Sequence, residues 1–311
     1  MRLSALVGGA TVALAAAGYC YVLRRRVLSA RVRLAVLNPC DASSIYNKNV
    51  MKMLHELLKA IGATNVVLTE IDVKNRSPSE VDAAIATADY HGFIIPGSAA
   101  GAYEKDAWIV ALAATIMKLH KQRRKMFGIC FGHQIIAHAL GGKVEKNAKH
   151  GVHAGTCAFD FTPLGASVFD QGDAATGALH YHHGDIVTRL PSSAALLGCS
   201  ATNPSHAFAV FGAATAARTA VTRASIAASS TSDNRPHGLT LQAHPEFATE
   251  TGRAVLRALI ADPSETPAPA GCNAEEWRAE RLRSVDDKRA DAHSLEMTRT
   301  AVRLLWPTAC S

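Results

Sequence analysis

From residue 31 onward the chain alternates short apolar runs with longer amphipathic ones. Residues 32–37 are apolar apart from Arg33 and stop at Asn38-Pro39-Cys40-Asp41, the pattern of a strand and its breaker. Residues 50–62 place apolar side chains on one helical face and end in Gly62, which predicts a helix with a glycine stop. A second strand is predicted over 65–72, a helix over 79–88 opened by Ser79-Glu80-Val81-Asp82, and a third strand over 93–95. Short strands separated by helices predict a doubly wound, mostly parallel α/β sheet, in which ligands bind beyond the carboxyl ends of the strands. Further on, 143–146 and 156–162 read as antiparallel strands and 250–260 as a helix. Residues 263–269 read as a stiff Pro-rich linker. Residues 273–306 are helical in pattern, with Trp277, Leu282, Val285, Leu295, Val302 and Leu305 apolar. That last element is expected to pack back on the domain, with a partner-binding helix as the alternative. Between 208–210 and 239–241 runs a low-complexity insertion, 212–236, rich in Ala, Ser and Thr; a surface loop accepts it at small entropic cost.

The amino terminus changes the picture. Residues 3–23 form an uncharged run of about 21 residues, long enough as a helix to cross a bilayer core. Arg24, Arg25 and Arg26 close it, and the positive-inside rule keeps that flank cytosolic. Residues 1–30 are thus expected to be a membrane anchor with the rest of the chain in the cytosol. A cleaved signal or targeting peptide and a buried core helix are the alternatives. The net charge of +7 largely belongs to this end, since residues 1–33 hold six Arg and no acid. No basic-aromatic array for nucleic acid appears elsewhere, so none is expected as a partner. The seven Cys (20, 40, 130, 157, 199, 272 and 310) are odd in number and scattered, with no C-x-x-C, which argues against a disulfide framework or a zinc site.

Two motifs carry chemistry. Gly128-Ile129-Cys130-Phe131-Gly132 sits between an apolar run and a helical segment. Glycines on both sides of one cysteine suit a tight strand-to-helix turn, which lifts the thiol to a helix N-terminus where thiolate is favoured; a structural cysteine in a Gly-flanked strand is the bland alternative. His244-Pro245-Glu246 ends a short apolar run. A cysteine nucleophile needs a base and the base needs an orienting group. His244 and Glu246, two residues apart on an extended segment, would share a face.

Together these motifs resemble the class I glutamine amidotransferase family, in the stand-alone branch similar to the GMP synthetase glutaminase domain and to γ-glutamyl peptidases. The resemblance implies a flavodoxin-like catalytic domain over 31–262, followed by 263–311 as linker and helix. It implies Cys130 as nucleophile, His244 as base and Glu246 as its orienter. By position the oxyanion donors would be the backbone N–H groups of Ser98 and Phe131. Gly97, Gln134, His182, His183, Gly184 and Asp185 would be substrate neighbours. The branch often has Pro and His after the Ser, where this chain has Ala99 and Ala100. Three His in His180-Tyr181-His182-His183 invite a metal reading, but in a strand His180 and His182 share a face and His183 points away, so no metal is expected. No cofactor is required either. The implied reaction is hydrolysis of a γ-glutamyl amide through a thioester, on glutamine or on a γ-glutamyl peptide such as a glutathione conjugate. Ammonia from glutamine would go to a separate synthetase subunit, because too few residues follow the domain to form one and no Walker-type phosphate loop is present. A membrane-tethered binding protein with a retired triad is the non-enzymatic alternative.

Overall fold

A computed structural model of the chain describes residues 31–171, 176–212 and 235–310. The first half winds as its apolar pattern requires: β1 (Val32–Asn38), α1 (Ile45–Ala60), β2 (Val66–Asp72), α2 (Pro78–Thr87), β3 (Gly92–Ile95), α3 (Ala107–Lys121), β4 (Met126–Ile129) and α4 (Phe131–Ala139). Helix α2 starts where a capping box forms, with the Ser77 side chain and Glu80 satisfying each other's backbone N–H. The second half brings β5 (Lys143–Lys146), β6 (His153–Phe161), α5 (Pro163–Val168), β7 (Thr176–His183), β8 (Asp185–Arg189), β9 (Ala194–Cys199), β10 (Ala207–Val210) and β11 (Gly238–Leu241). A 3-10 turn (Pro245–Ala248) leads into α6 (Glu250–Ala261), α7 (Ala274–Ser284), α8 (Lys288–Leu305) and a closing 3-10 turn (Pro307–Cys310).

Among the described residues one sheet has nine strands in the order β2-β1-β3-β4-β11-β10-β9-β6-β7. The block from β2 to β11 is parallel, and β10, β9, β6 and β7 extend it antiparallel. Strands β3, β4 and β11 are buried along their whole length, as expected for strands covered on both faces. Leu54, Leu57, Leu256 and Val302, from α1, α6 and α8, belong to the core on one side. Val81, Ile109, Ile116 and Ile135, from α2, α3 and α4, belong to the core on the other.

Residues 143–146 and the strand around 156 are antiparallel strands as expected but lie in different sheets: β5 pairs with β8, and β6 with β7 and β9. The structure differs from the sequence expectations at three places. The strand expected to carry His244 stops at Leu241, and Glu246 lies in the 3-10 turn instead of an extended segment. The stretch 263–269 is no free spacer, since Thr266 is fully buried. The helical tail breaks into α7 and α8, where Asp287 accepts from the N–H groups of Arg289 and Ala290 and starts a new helix. Helix α8 then packs on β7 and on the 245–248 turn, with Met297, Ala301, Val302 and Leu305 buried. No helix among the described residues is long and apolar enough to cross a membrane. The expected anchor over residues 1–30 lies outside the described residues, as does nearly all of the insertion at 212–236.

Candidate active site

Strands β3, β4 and β11 run parallel in register, Ile95 opposite Gly128 and Leu241 opposite Ile129. Their carboxyl ends therefore release three segments at one edge of the sheet: 96–98, 130–134 and 242–246. Cys130 caps α4 with φ 53° and ψ −105°, a left-handed conformation that a non-glycine residue adopts only under constraint. The constraint is visible. Cys130 N–H donates to Leu241 O at 2.8 Å, and Gly132 N–H donates to Pro96 O at 3.2 Å. A Cβ on Gly132 would stand 1.9 Å from Ile95 O, so only glycine lets α4 sit this close to β3.

Around the thiol the polar contacts are specific. His244 Nδ1–H donates to Glu246 Oε1 at 2.7 Å, and the Tyr46 hydroxyl donates to the same oxygen at 2.8 Å. Tyr46 Oη in turn accepts from Gly97 N–H at 3.1 Å. Phe247 stacks on the His244 ring at 4.4 Å, and Tyr46 meets it edge-on at 5.2 Å. His244 N–H donates to His180 O at 2.8 Å, so both backbone and ring are held. On the other side Gln134 Nε2 donates to Asp185 O at 3.0 Å and to Gln242 Oε1 at 3.4 Å. Gln242 Nε2 points at Cys130 Sγ at 3.8 Å.

Burial alone would lower the His244 pKa, but the negative charges of Cys130 and Glu246 outweigh it and push it up to about 10. His244 is therefore held as an imidazolium between two acidic side chains. The neighbouring histidines go the other way. Burial, together with the His244 charge, lowers His182 to about 4, and burial with nearby His153 and His206 lowers His183 well below its ordinary value. His183 Nδ1–H donates to Asp185 O at 2.9 Å. The Thr266 hydroxyl donates to Leu259 O at 2.7 Å, so it accepts the Nε2–H of His182 at 2.8 Å. These are neutral, oriented rings.

Cys130 lies at a cavity of about 370 Å³, lined also by Ser98, Gln134, His182, His183, Gly184 and Asp185. A smaller crevice of about 60 Å³ connects Cys130 to His244, Tyr46 and Leu259. The structure thus brings together Cys130, His244 and Glu246, and sets Ser98, Gln134 and residues 182–185 around the thiol. Phe131 opens α4 directly after the cysteine, its ring buried against Trp108 at 5.6 Å. Gly97 is not on the cavity wall: its N–H goes to Tyr46 and its carbonyl accepts from Asn47 Nδ2. A Cβ there would come within 2.9 Å of the His244 ring, so its role is close approach. No cluster among the described residues could hold a metal. His180 and His182 do share one face of β7, reaching Asp291 and Thr266, while His183 turns to the other side among His153 and Tyr181. Sequence reasoning missed Tyr46, which lies ahead of the helix predicted over 50–62 and joins it only in the structure. It missed Gln242, whose only signal is its place two residues before His244. It also missed the 264–267 segment, which lines the cavity although its composition says linker.

A cysteine held at a strand-to-helix elbow, with a histidine and a carboxylate delivered from the adjacent parallel strand, defines an α/β protein organised around one thiol. The chain belongs to the glutamine amidotransferase class-I family, which matches residues 41–261. It is 40% identical over 114 residues to gamma-glutamyl peptidase 3 of Arabidopsis thaliana, covering 36% of this chain and 46% of that protein. It is 29% identical over 126 residues to the glutamine-hydrolyzing GMP synthase of Wolinella succinogenes, covering 40% of this chain and 23% of that one. The chain therefore spans less than half the length of either relative. A glutamine amidotransferase from Thermotoga maritima shares the fold, with a TM-score of 0.56 at 16% identity over 90% of this chain and 99% of that structure.

Proposed function

We propose that this chain is a cysteine-dependent hydrolase of γ-glutamyl amides. The observation that supports it is the assembly of Cys130, His244 and Glu246, with Cys130 on the wall of the 370 Å³ cavity and Glu246 buried behind His244. In this reading the Cys130 thiolate attacks the γ-carbonyl, and the oxyanion is met by the N–H groups of Ser98 and Phe131. His244 gives its proton to the leaving nitrogen as the C–N bond breaks, leaving a γ-glutamyl thioester. His244 then takes a proton from water, which attacks the thioester and frees glutamate and the thiolate. Gln134 and residues 182–185 line the side where the amino-acid end of the substrate would lie. Glu246 holds His244 in the tautomer that the reaction needs.

Two substrates fit this chemistry. Similarity to a glutamine-hydrolyzing synthase supports glutamine, with ammonia passed to a separate synthetase subunit. Similarity to a gamma-glutamyl peptidase supports a γ-glutamyl peptide, complete in itself. The test is mass-spectrometric turnover of glutamine and glutathione side by side, with the Cys130→Ala variant as control. Cys130→Ala is expected to lower turnover by at least about 10³-fold. Turnover that survives in that variant would refute the thiol mechanism, and the ratio of the two substrates decides between amidase and peptidase.

A further inference from the structure

The family match ends at residue 261, yet the next residues build part of the cavity. Ser264, Glu265 and Pro267 line it, and Glu265 also lines the small crevice that holds Cys130 and His244. The segment is fixed in place. Asp262 Oδ1 accepts from the Ser264 N–H at 2.8 Å and its hydroxyl at 2.7 Å, Thr266 N–H donates to Asp262 O at 2.9 Å, and Thr266 is fully buried between Leu259 O and His182. The turn thus holds Glu265, an exposed residue, at the cavity and the crevice that Cys130 also lines.

Its charge matters because of where it sits. The proton for the leaving nitrogen comes from His244, so the amine half of the substrate must lie on the His244 side of the thiol. That side is the crevice of Ser44, Tyr46, His244, Leu259 and Glu265, in which Glu265 carries the one carboxylate among the described residues. In the larger cavity Asp185, Glu104 and Lys146 are also on the wall, with Lys146 and Glu104 close enough to Asp185 to act on its charge. The γ-glutamyl half, with its own ammonium and carboxylate, is neutral overall, so the charge of the amine half decides how a substrate meets Glu265.

We propose that Glu265 is a specificity-determining residue that selects γ-glutamyl amides whose amine half is cationic and disfavours those whose amine half carries a carboxylate. This inference rests on the γ-glutamyl hydrolase reading and adds the chemistry of the leaving group to it. Opposite charges across a partly solvated gap favour the matched substrate, and like charges disfavour the mismatched one.

The experiment uses three amides matched in size: γ-glutamylethylenediamine, γ-glutamylethylamide and γ-glutamylglycine, whose amine halves are cationic, neutral and anionic. For the full chain kcat/KM is expected to fall in that order. Glu265→Gln should lower the ratio of the first to the third by about fivefold, and Glu265→Lys should invert the order. The preference should also shrink as ionic strength rises. A ratio that neither variant moves, or a wild-type preference for γ-glutamylglycine, overturns the inference while leaving the hydrolase intact. If none of the three amides, nor glutamine, is cleaved in a Cys130-dependent way, the hydrolase reading falls and the inference with it.

Discussion

One tyrosine hydroxyl ties the two halves of the site together. Tyr46 Oη donates to Glu246 Oε1 and accepts from Gly97 N–H, so the loop that carries Ser98 and the carboxylate that orients His244 share a single anchor. Tyr46→Phe removes that anchor and preserves the ring packed against His244 and Phe247. The variant is expected to lose about tenfold in kcat with a smaller change in KM, because the bond acts on the reacting groups and not on the bound substrate. Steady-state kinetics on glutamine and glutathione would check it; an unchanged kcat would mean that Glu246 is held well enough without Tyr46. At this scale the sequence was readable where local chemistry is self-announcing. Cys130 is framed by two glycines and His244 stands two residues from an acid. Tyr46 was not readable, because it meets Glu246 across 200 positions of chain and nothing in its own helix distinguishes it from a core aromatic.

Among elements, the last helix has the most unexpected importance. Helix α8 reads from its pattern as amphipathic, and its apolar face is buried against β7 and the turn that follows His244. Trp306, just after it, is almost fully buried; its Nε1–H donates to His91 O at 3.1 Å, and its ring fills the space that a Cβ on Gly92 would occupy. Asp291 of α8 accepts from Arg253 and pairs with His180, the residue whose carbonyl holds the His244 backbone. The helix therefore braces the strand and turn that position the base. Trp306→Ala should cost about 3–5 kcal/mol, the range for removing a buried large aromatic. Chemical denaturation would measure it, and a loss below about 1 kcal/mol would show that the tail is peripheral to the core. The pattern could say that this helix has an apolar side; it could not say which surface would cover it.

For the whole molecule, buried histidines set the pH dependence. Burial, aided by nearby positive groups, lowers His133, His206 and His237 to about 3 and His182 to about 4, against an ordinary value of 6.5. Between pH 6.5 and 4 the unfolded chain binds protons at these positions and the folded chain does not, so stability falls as pH drops through that window. His244 has the opposite sign. Its folded value of about 10 lies above the unfolded one, so its contribution is full below pH 6.5 and is lost as pH rises from 6.5 through 10. Tm should therefore peak near neutral pH and fall on both sides, more steeply on the acid side, where several groups act together. Thermal melts from pH 5 to 9 would check this, and a Tm that rises below pH 6.5 would refute it. The sequence by itself determined the alternation of strands and helices, the elbow cysteine and the His-x-Glu pair, because spacing and glycine placement are local properties of the chain. Only the tertiary structure decided that β11 lies beside β4, that Tyr46 and Gln242 reach the thiol's surroundings, and that a Pro-rich stretch forms a wall of the cavity. Those are contacts between distant segments, and they are fixed by which surfaces bury one another rather than by any pattern within a segment.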